Sequence, residues 1–292
     1  MAVSTANASE LTAEQVQSIL VKPLEQASVF LSAGPRIFDT DGSPVRIPKL
    51  GAATDPAWYG ENELITDGDV DFDEVTLLPS TIKSVKTLTR FSNELARQSV
   101  VSLDAAIKDR LVTDVAAKLD TAFIAGTGNG GTTPTGILNY ADTQEIAAVG
   151  DAGLDAILDA WGLLLAANAN IASTKWLMRP ETFVALRKVK QGTGSNGYVL
   201  TPDPTQDGVF RLFGSQVIIT NRIPVVGTEG QTTSAVLADF SQIAVARDQA
   251  PTVKILDQTF GDYDQQAIRV TARYDAAPLN PEAVVVLKDI TV

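Results

Sequence analysis

Residues 102–126 read SLDAAIKDRLVTDVAAKLDTAFIAG, and their spacing decides the fold. Leu103, Ile107, Leu111, Val115, Leu119 and Phe123 recur every four residues. On a helix of about 3.6 residues per turn, such positions make one apolar stripe that drifts slowly around the axis. Asp114 and Lys118 stand acid before base, four apart, on a polar face. The run begins after Ser99 to Ser102 and Gly126 stops it, so the helix is about twice the usual length. One stripe on so long a helix predicts a backbone against which a sheet packs. The loop that follows, Gly126-Thr-Gly-Asn-Gly-Gly131, satisfies G-x-G-x-x-G. Dinucleotide binding needs a strand before that pattern and a helix after it. Here a helix precedes and Thr132-Thr-Pro-Thr-Gly-Ile-Leu138 follows, which reads as a helix C-cap and turn.

Upstream, residues 1–30 read as an arm with a short helix carrying Leu11, Val16, Ile19 and Leu20, ended by Lys22-Pro23. Residues 34–60 hold turn signals, Gly34-Pro35, Asp41-Gly42 and Ser43-Pro44, and too little periodicity for a packed element. Residues 61–91 read as a two-stranded excursion. Its outgoing part, Asp67 to Glu74, puts Asp69, Asp71 and Asp73 on one face and Val70 and Phe72 on the other. Its returning part, Thr81 to Phe91, carries Lys83, Lys86 and Arg90. From Glu61 and Glu63 through Asp67 to Glu74 there are seven acids and no base. A calcium loop fails there, because Phe72 stands at the obligatory glycine and Leu78 at the bidentate glutamate. The stretch therefore reads as a solvated or partner-facing strand. Ser92 can cap a further short helix with Glu94 in its first turn.

Downstream the chain alternates. Leu154, Ile157, Leu158, Trp161, Leu164 and Leu165 mark an amphipathic helix, and Thr174 to Met178 a strand. Pro180 opens a helix carrying Phe183, Leu186 and Val189. After a Gly192 to Gly197 loop come strand-like runs at Gln216 to Thr220, Ala235 to Asp239, Ile243 to Ala246, Val253 to Leu256, Ala267 to Ala272 and Ala283 to Lys288.

Composition narrows the function. Of 292 residues, 45% are hydrophobic, enough for a sizeable core. The longest apolar stretch, Trp161 to Ala167, falls far short of a membrane span of about 20 residues. Met1 to Glu10 lacks the basic and apolar regions of a secretory signal. The chain contains no Cys and no His, which excludes disulfides, thiolate nucleophiles, the Ser-His-Asp triad and the common zinc sites. Asp69 and Asp71 share a strand face, as a carboxylate hydrolase would need, but no positioned acid or orienting base accompanies them. The net charge is −12, and the densest basic stretch is only Arg187, Lys188 and Lys190, not the cluster that a DNA-binding protein uses. The acidity serves either solubility or a functional role of the charge itself.

Several segments in order resemble a known family. Thr133-Pro-Thr-Gly-Ile-Leu138 follows the long helix. Trp176-Leu-Met-Arg-Pro-Glu-Thr-Phe183 with Leu186-Arg-Lys resembles the strand-to-helix segment of its outer domain. Phe213-Gly-Ser-Gln-Val-Ile-Ile-Thr220 with Ile223-Pro224, and Ala238-Asp-Phe-Ser-Gln-Ile-Ala244, resemble the next strands. Arg269-Val-Thr-Ala-Arg-Tyr-Asp275 and Pro281-Glu-Ala-Val-Val-Val286 resemble the close. Over about residues 15–290 the chain resembles the major capsid proteins of tailed bacteriophages, with the Hong Kong 97-like fold.

The resemblance implies an α+β fold: an N-terminal arm (1–33), an extended β-hairpin loop and peripheral-domain strands (34–91), a peripheral domain with its spine helix (92–139), an axial domain (140–275) and a C-terminal strand returning to the peripheral domain (276–292). It implies a structural protein, not an enzyme, without cofactor or metal. The subunit would assemble in the host bacterial cytoplasm into pentamers and hexamers of a virion capsid. Its partners would be itself, a portal protein, a separate scaffold or protease, and packaged DNA bound without sequence specificity, with no membrane. Intersubunit contacts are expected from Glu61, Glu63, Asp67, Asp69, Asp71, Asp73, Lys83, Lys86 and Arg90 on the extended loop. The chain starts almost directly at the arm, so any scaffolding segment is expected elsewhere. Ile65, Asp264 and Thr271 stand where some members carry a cross-linking Lys, Asn and helper Glu, so a non-covalent shell is expected. An encapsulin shell or a gene-transfer-particle capsid has the same fold and remains an alternative.

Overall fold

The computed structural model describes residues 28–51, 58–65, 72–78, 83–92, 102–151, 153–191, 197–200, 210–227, 230–263 and 265–291. In chain order the elements are α1 (Val29–Ser32), β1 (Arg36–Asp39), β2 (Val45–Leu50), β3 (Phe72–Leu77), β4 (Ser84–Ser92), α2 (Ser102–Ala125), β5 (Gln144–Ile146), α3 (Leu154–Ala166) and β6 (Thr174–Met178). Then follow α4 (Pro180–Arg187), β7 (Arg211–Leu212), β8 (Ser215–Ile219), β9 (Thr232–Asp239), β10 (Ile243–Phe260), β11 (Gln265–Pro278) and β12 (Val284–Thr291). They form a four-stranded sheet, β1-β10-β11-β4, a six-stranded sheet, β5-β12-β9-β6-β8-β7, and a two-stranded ribbon, β2-β3. The mixed α+β class is as expected. The arm helix expected at Leu11 to Leu20 and the short helix expected after Ser92 lie outside the described residues.

The long helix α2 lies on the four-stranded sheet as its stripe requires. Leu111, Val115, Leu119 and Phe123 are buried against Ile268, Val270, Ala272 and Tyr274. Those strand residues are two apart, so they share one face of β11. The Phe123 and Tyr274 rings meet edge to face at 6.5 Å. On the opposite face of the sheet, Ala244 and Ala246 receive the base of the ribbon.

The Thr-Pro-x-Gly motif has a mechanical reason. It folds back over the end of α2, where Gly136 N–H donates to the Gly126 carbonyl at 2.8 Å. A Cβ on Gly126 would stand 2.3 Å from the Pro134 oxygen, and one on Gly136 would stand 2.5 Å from the Gly126 nitrogen. Asn139 Nδ2 donates to the carbonyls of Ala125 at 3.3 Å and Gly126 at 3.0 Å, satisfying acceptors that a helix end leaves open.

The start of the described chain is pinned to the same helix. Asp120, only 2% exposed, accepts from Ser28 Oγ at 2.5 Å, Val29 N at 2.9 Å and Phe30 N at 3.1 Å. Phe30 is thereby seated between Phe123 and Phe240, with centroids 5.1 and 5.8 Å away. Lys175 Nζ holds the other end of α1 through the Ala33 carbonyl at 2.7 Å.

The six-stranded sheet is covered on both faces. Leu177, Val236, Ala238, Val284 and Val286 join the core under α2. Trp176, Met178, Ala235, Leu237, Val285 and Leu287 pack against α3 and α4. Arg179, in the Arg-Pro-Glu segment, donates to the carbonyls of Asn221 at 3.1 Å and Ile223 at 2.7 Å, locking the turn after β8.

Three expectations are corrected. The strands of 61–91 do not pair with each other: β3 pairs with β2, and β4 pairs with β11. Residues 34–60 therefore do contain packed strands, since β2 alternates half-buried and exposed positions and β1 runs parallel to β10. Pro48 sits within β2 because every strand of a two-stranded ribbon is an edge, where a missing N–H is tolerated. Finally, β12 does not return to the sheet under α2. It lies between β5 and β9, because Val284 to Leu287 is apolar on both faces and needs cover on both. The long strands β10 and β11, which had been expected in the axial unit, belong to the four-stranded sheet on which α2 lies.

Candidate intersubunit surface

The ribbon β2–β3 is built to stand away from the body. Its base is fixed by Leu77 and Leu78, buried against Ala244 and Ala246, with Val45, Ile47 and Phe38 around them. Leu78 turns the chain out of β3 in a left-handed conformation, φ 53°, which is costly for a residue with a side chain. Asp275 holds that turn. Its carboxylate accepts from Leu78 N at 3.0 Å, from Ala276 N at 2.9 Å and from Lys83 Nζ at 2.7 and 2.8 Å. One buried acid thus gathers both ends of the 78–83 crossing between ribbon and sheet. Burial, and then the Asp275 charge, hold the neighbouring Tyr140 hydroxyl well above its usual range, so it stays a neutral phenol.

The far end of the ribbon has the opposite character. Leu50 and Phe72 are cross-strand partners at its tip, and they are 66% and 71% exposed. Beyond them Trp58, Leu64 and Ile65 are 102%, 85% and 71% exposed. A tight turn at 60–63 presents these groups. Glu63 N–H donates to the Gly60 carbonyl at 3.2 Å, and Glu63 Oε2 accepts from Gly60 N at 2.7 Å. So many large apolar side chains on one projection make it the candidate contact surface of this chain. A cleft of about 690 Å3 opens between the ribbon and the turn at 279–282, lined by Ile47, Lys49, Asp73, Val75, Leu279 and Glu282.

The expected contact residues are divided by the structure. Glu61, Glu63 and Asp73 lie on the ribbon or its tip, while Asp67, Asp69 and Asp71 fall outside the described residues. The acids do have local bases. Asp73 is opposite Lys49 across the ribbon, and Glu74 lies 4.0 Å from Arg46. Both bases come from β2, which had been read as loop. Lys83 is not an outward contact: its side chain is 12% exposed and pairs with Asp275 of its own chain. Lys86 and Arg90 face outward on β4, with exposed Leu88 between them. The apolar tip was missed, though Trp58 amid turn residues, with no periodic partner, was its signal. Among the described residues no three carboxylates converge closely enough to hold a metal ion.

The chain that folds into two sheets, a long helix and a projecting ribbon matches the phage capsid family over residues 9–289. The chain belongs to that family. This capsid chain is 25% identical, over 98% of its length and 69% of the relative's, to the major capsid protein of Klebsiella oxytoca phage phiKO2. It is 30% identical to the capsid polyprotein of Pseudomonas phage PAJU2 over 62% of its own length, spanning 27% of that longer protein. In fold it is similar to the capsid of a native GTA particle, with TM-score 0.74, 17% identity and 90% of each chain covered.

Proposed function

We propose that this chain is the major capsid protein of a tailed phage, assembling with itself into pentamers and hexamers of an icosahedral shell around double-stranded DNA. The observation that carries the reading is the ribbon: clamped at its base by Asp275 and apolar at its tip, in a member of the capsid family. A tip of this kind has no use in a monomer and finds cover on a neighbouring subunit. In this reading the ribbon at 45–77 is the extended loop and residues 1–33 are the N-terminal arm. The peripheral unit is α2 with the four-stranded sheet, and the axial unit is the six-stranded sheet with α3 and α4. Glu61 and the acidic run at Asp67, Asp69 and Asp71 meet basic groups of the neighbour. The shell assembles in the host cytoplasm with a portal and a separate scaffold or protease, and packaged DNA slides past without sequence-specific contact.

The test is sedimentation and negative-stain microscopy of the purified protein. Capsomers or closed shells are expected. A monomer at every salt and protein concentration, with no shells in the microscope, would overturn the reading. The fold shared with the GTA capsid supports a second one, a gene-transfer-particle shell. Sequencing the enclosed DNA separates them: one repeated viral genome means phage, and random host fragments mean transfer particle.

A further inference from the structure

Two surface faces outside the ribbon lack intramolecular partners, and they are complementary. The first is the outer side of α3. Ile157, Ala160, Trp161 and Leu164 of this helix point into the core, while Leu158, Leu165 and nearby Ile171 are about half exposed, 50–52%. Asp155 and Asp159 border these groups, exposed and without a basic partner among the described residues. An exposed apolar strip on a helix whose opposite side already packs into the core is a surface for a partner to cover. Gly162, with nothing within 4 Å of where its Cβ would be, leaves a notch between Leu158 and Leu165.

The second face is at the end of α4 and the β7–β8 turn. Arg187 lies over the Phe183 ring at 5.5 Å, and that ring contacts Phe210 with centroids 5.0 Å apart. Lys188 and Arg211, next in sequence to Arg187 and Phe210, are exposed, as is Lys190, which lies over the Tyr198 ring at 5.9 Å. None of these four basic groups has a carboxylate partner among the described residues. Phe210 and Phe213 are 42% and 45% exposed. Phe213 is held outward by a two-residue turn with Gly214, φ 47° and 84°.

The strand order places these faces at opposite ends of one sheet. α3 packs on β12 and β5 at one end, and the basic face belongs to β7–β8 at the other. Complementary patches at opposite ends of a rigid element make a head-to-tail contact, and repeated head-to-tail contacts close into a ring when the rotation allows. We propose that the acidic-apolar face of α3 on one subunit docks onto the basic-apolar face of α4 and β7–β8 on the next copy, and that this pairing closes the capsomer ring. The inference rests on the shell reading and deepens it by naming the two surfaces.

Reciprocal charge reversal tests it. One variant carries Asp155→Lys and Asp159→Lys; another carries Lys188→Glu and Arg211→Glu. Circular dichroism and the melting temperature should match the parent, because all four side chains are exposed. Each variant alone should need about tenfold or more protein to form capsomers, as like charges then face each other across the contact. The quadruple variant should regain assembly. An equimolar mixture of the two double variants restores the pairing only where they alternate, so it closes even rings and forms hexamers without closed shells. If the parent assembles and either folded double variant assembles as well, or if the quadruple variant stays dissociated, the pairing is wrong while the shell reading stands. If the parent itself never assembles, the shell reading falls and this pairing with it.

Discussion

Asp275 and Lys83 decide whether the ribbon keeps its base. The pair is 2.7 Å apart, with side chains 2% and 12% exposed, and the residues lie 192 positions apart in sequence. Replacing Asp275 by Ala leaves a nearly buried ammonium without a counter-charge, a loss of about 3–5 kcal/mol when one partner of a buried pair is removed. The Leu78 and Ala276 N–H groups lose their acceptor as well. That addition is limited, because the ribbon can lift and admit water. Lys83→Met is milder, about 1.5–3 kcal/mol for a lost charge-assisted bond, since Asp275 keeps two N–H donors. Replacing both, Asp275→Leu with Lys83→Met, should cost clearly less than the sum, because an apolar pair of similar volume is often neutral. The expected coupling is at least about 2 kcal/mol. Urea unfolding of dissociated subunits of the parent, Asp275→Leu, Lys83→Met and the double variant, followed through buried Trp176, gives the four corners of the cycle. Hydrogen exchange at 77–84 reports whether the ribbon base opens first. A cost below about 1 kcal/mol for Asp275→Ala, or strict additivity of the pair, would refute the clamp.

Four further outcomes follow from the same structure. Asp120→Ala removes the acceptor of three hydrogen bonds and should cost about 2–4 kcal/mol, with faster amide exchange at 28–33; unchanged exchange there would show that α1 is held by Phe30 alone. Gly136→Ala places a methyl 2.5 Å from the Gly126 nitrogen and should lower stability by about 3 kcal/mol or more, whereas Gly42→Ala meets no atom within 4 Å and should cost only what its left-handed φ imposes. Reversing Asp69, Asp71 and Asp73 to Lys should abolish or misdirect assembly while the subunit melts normally; normal shells at low and high salt would mean the run is merely solvated. Boiled denaturing gels of assembled particles should show one band near 30.9 kDa, and a ladder resistant to denaturant would contradict the absence of cross-links expected from Ile65.

What could be read from the sequence was what local periodicity encodes. The stripe from Leu103 to Phe123 marked α2 and the need for a sheet beneath it, and the runs at 174–178, 216–220, 235–239 and 267–272 each became strand. Pairing was not legible, because a strand's partner is chosen by packing across the whole chain. β3 and β4 are neighbours in sequence yet join different sheets, and β2 with its proline looked like loop. The fate of β12 was closer to legible: four consecutive apolar residues, Val284 to Leu287, are the mark of a strand covered on both faces. In the candidate site, the acidic run was visible as composition, whereas the clamp was not. Asp275 is one acid in an alternating strand, and nothing near it in sequence points to Lys83.

The placement of polar groups explains how one subunit can be both stable and ready to assemble. The buried carboxylates Asp120, Asp239 and Asp275 are all satisfied within the chain, by backbone N–H groups, serine hydroxyls and one lysine. None of these three carboxylates waits for a neighbour. Among the described residues, large exposed apolar side chains stand at the ribbon tip, on α3 and around β7–β8. Exposed ion pairs are worth at most about 1 kcal/mol each, so one misplaced contact can dissociate and correct itself. A closed ring engages every such contact at once, and tethered contacts reinforce each other far beyond their separate affinities. Weak, repeated surfaces on a self-sufficient core are therefore what a shell requires. In the proposed reading they also place the contacts of this chain on its projections and sheet ends, and not in a pocket.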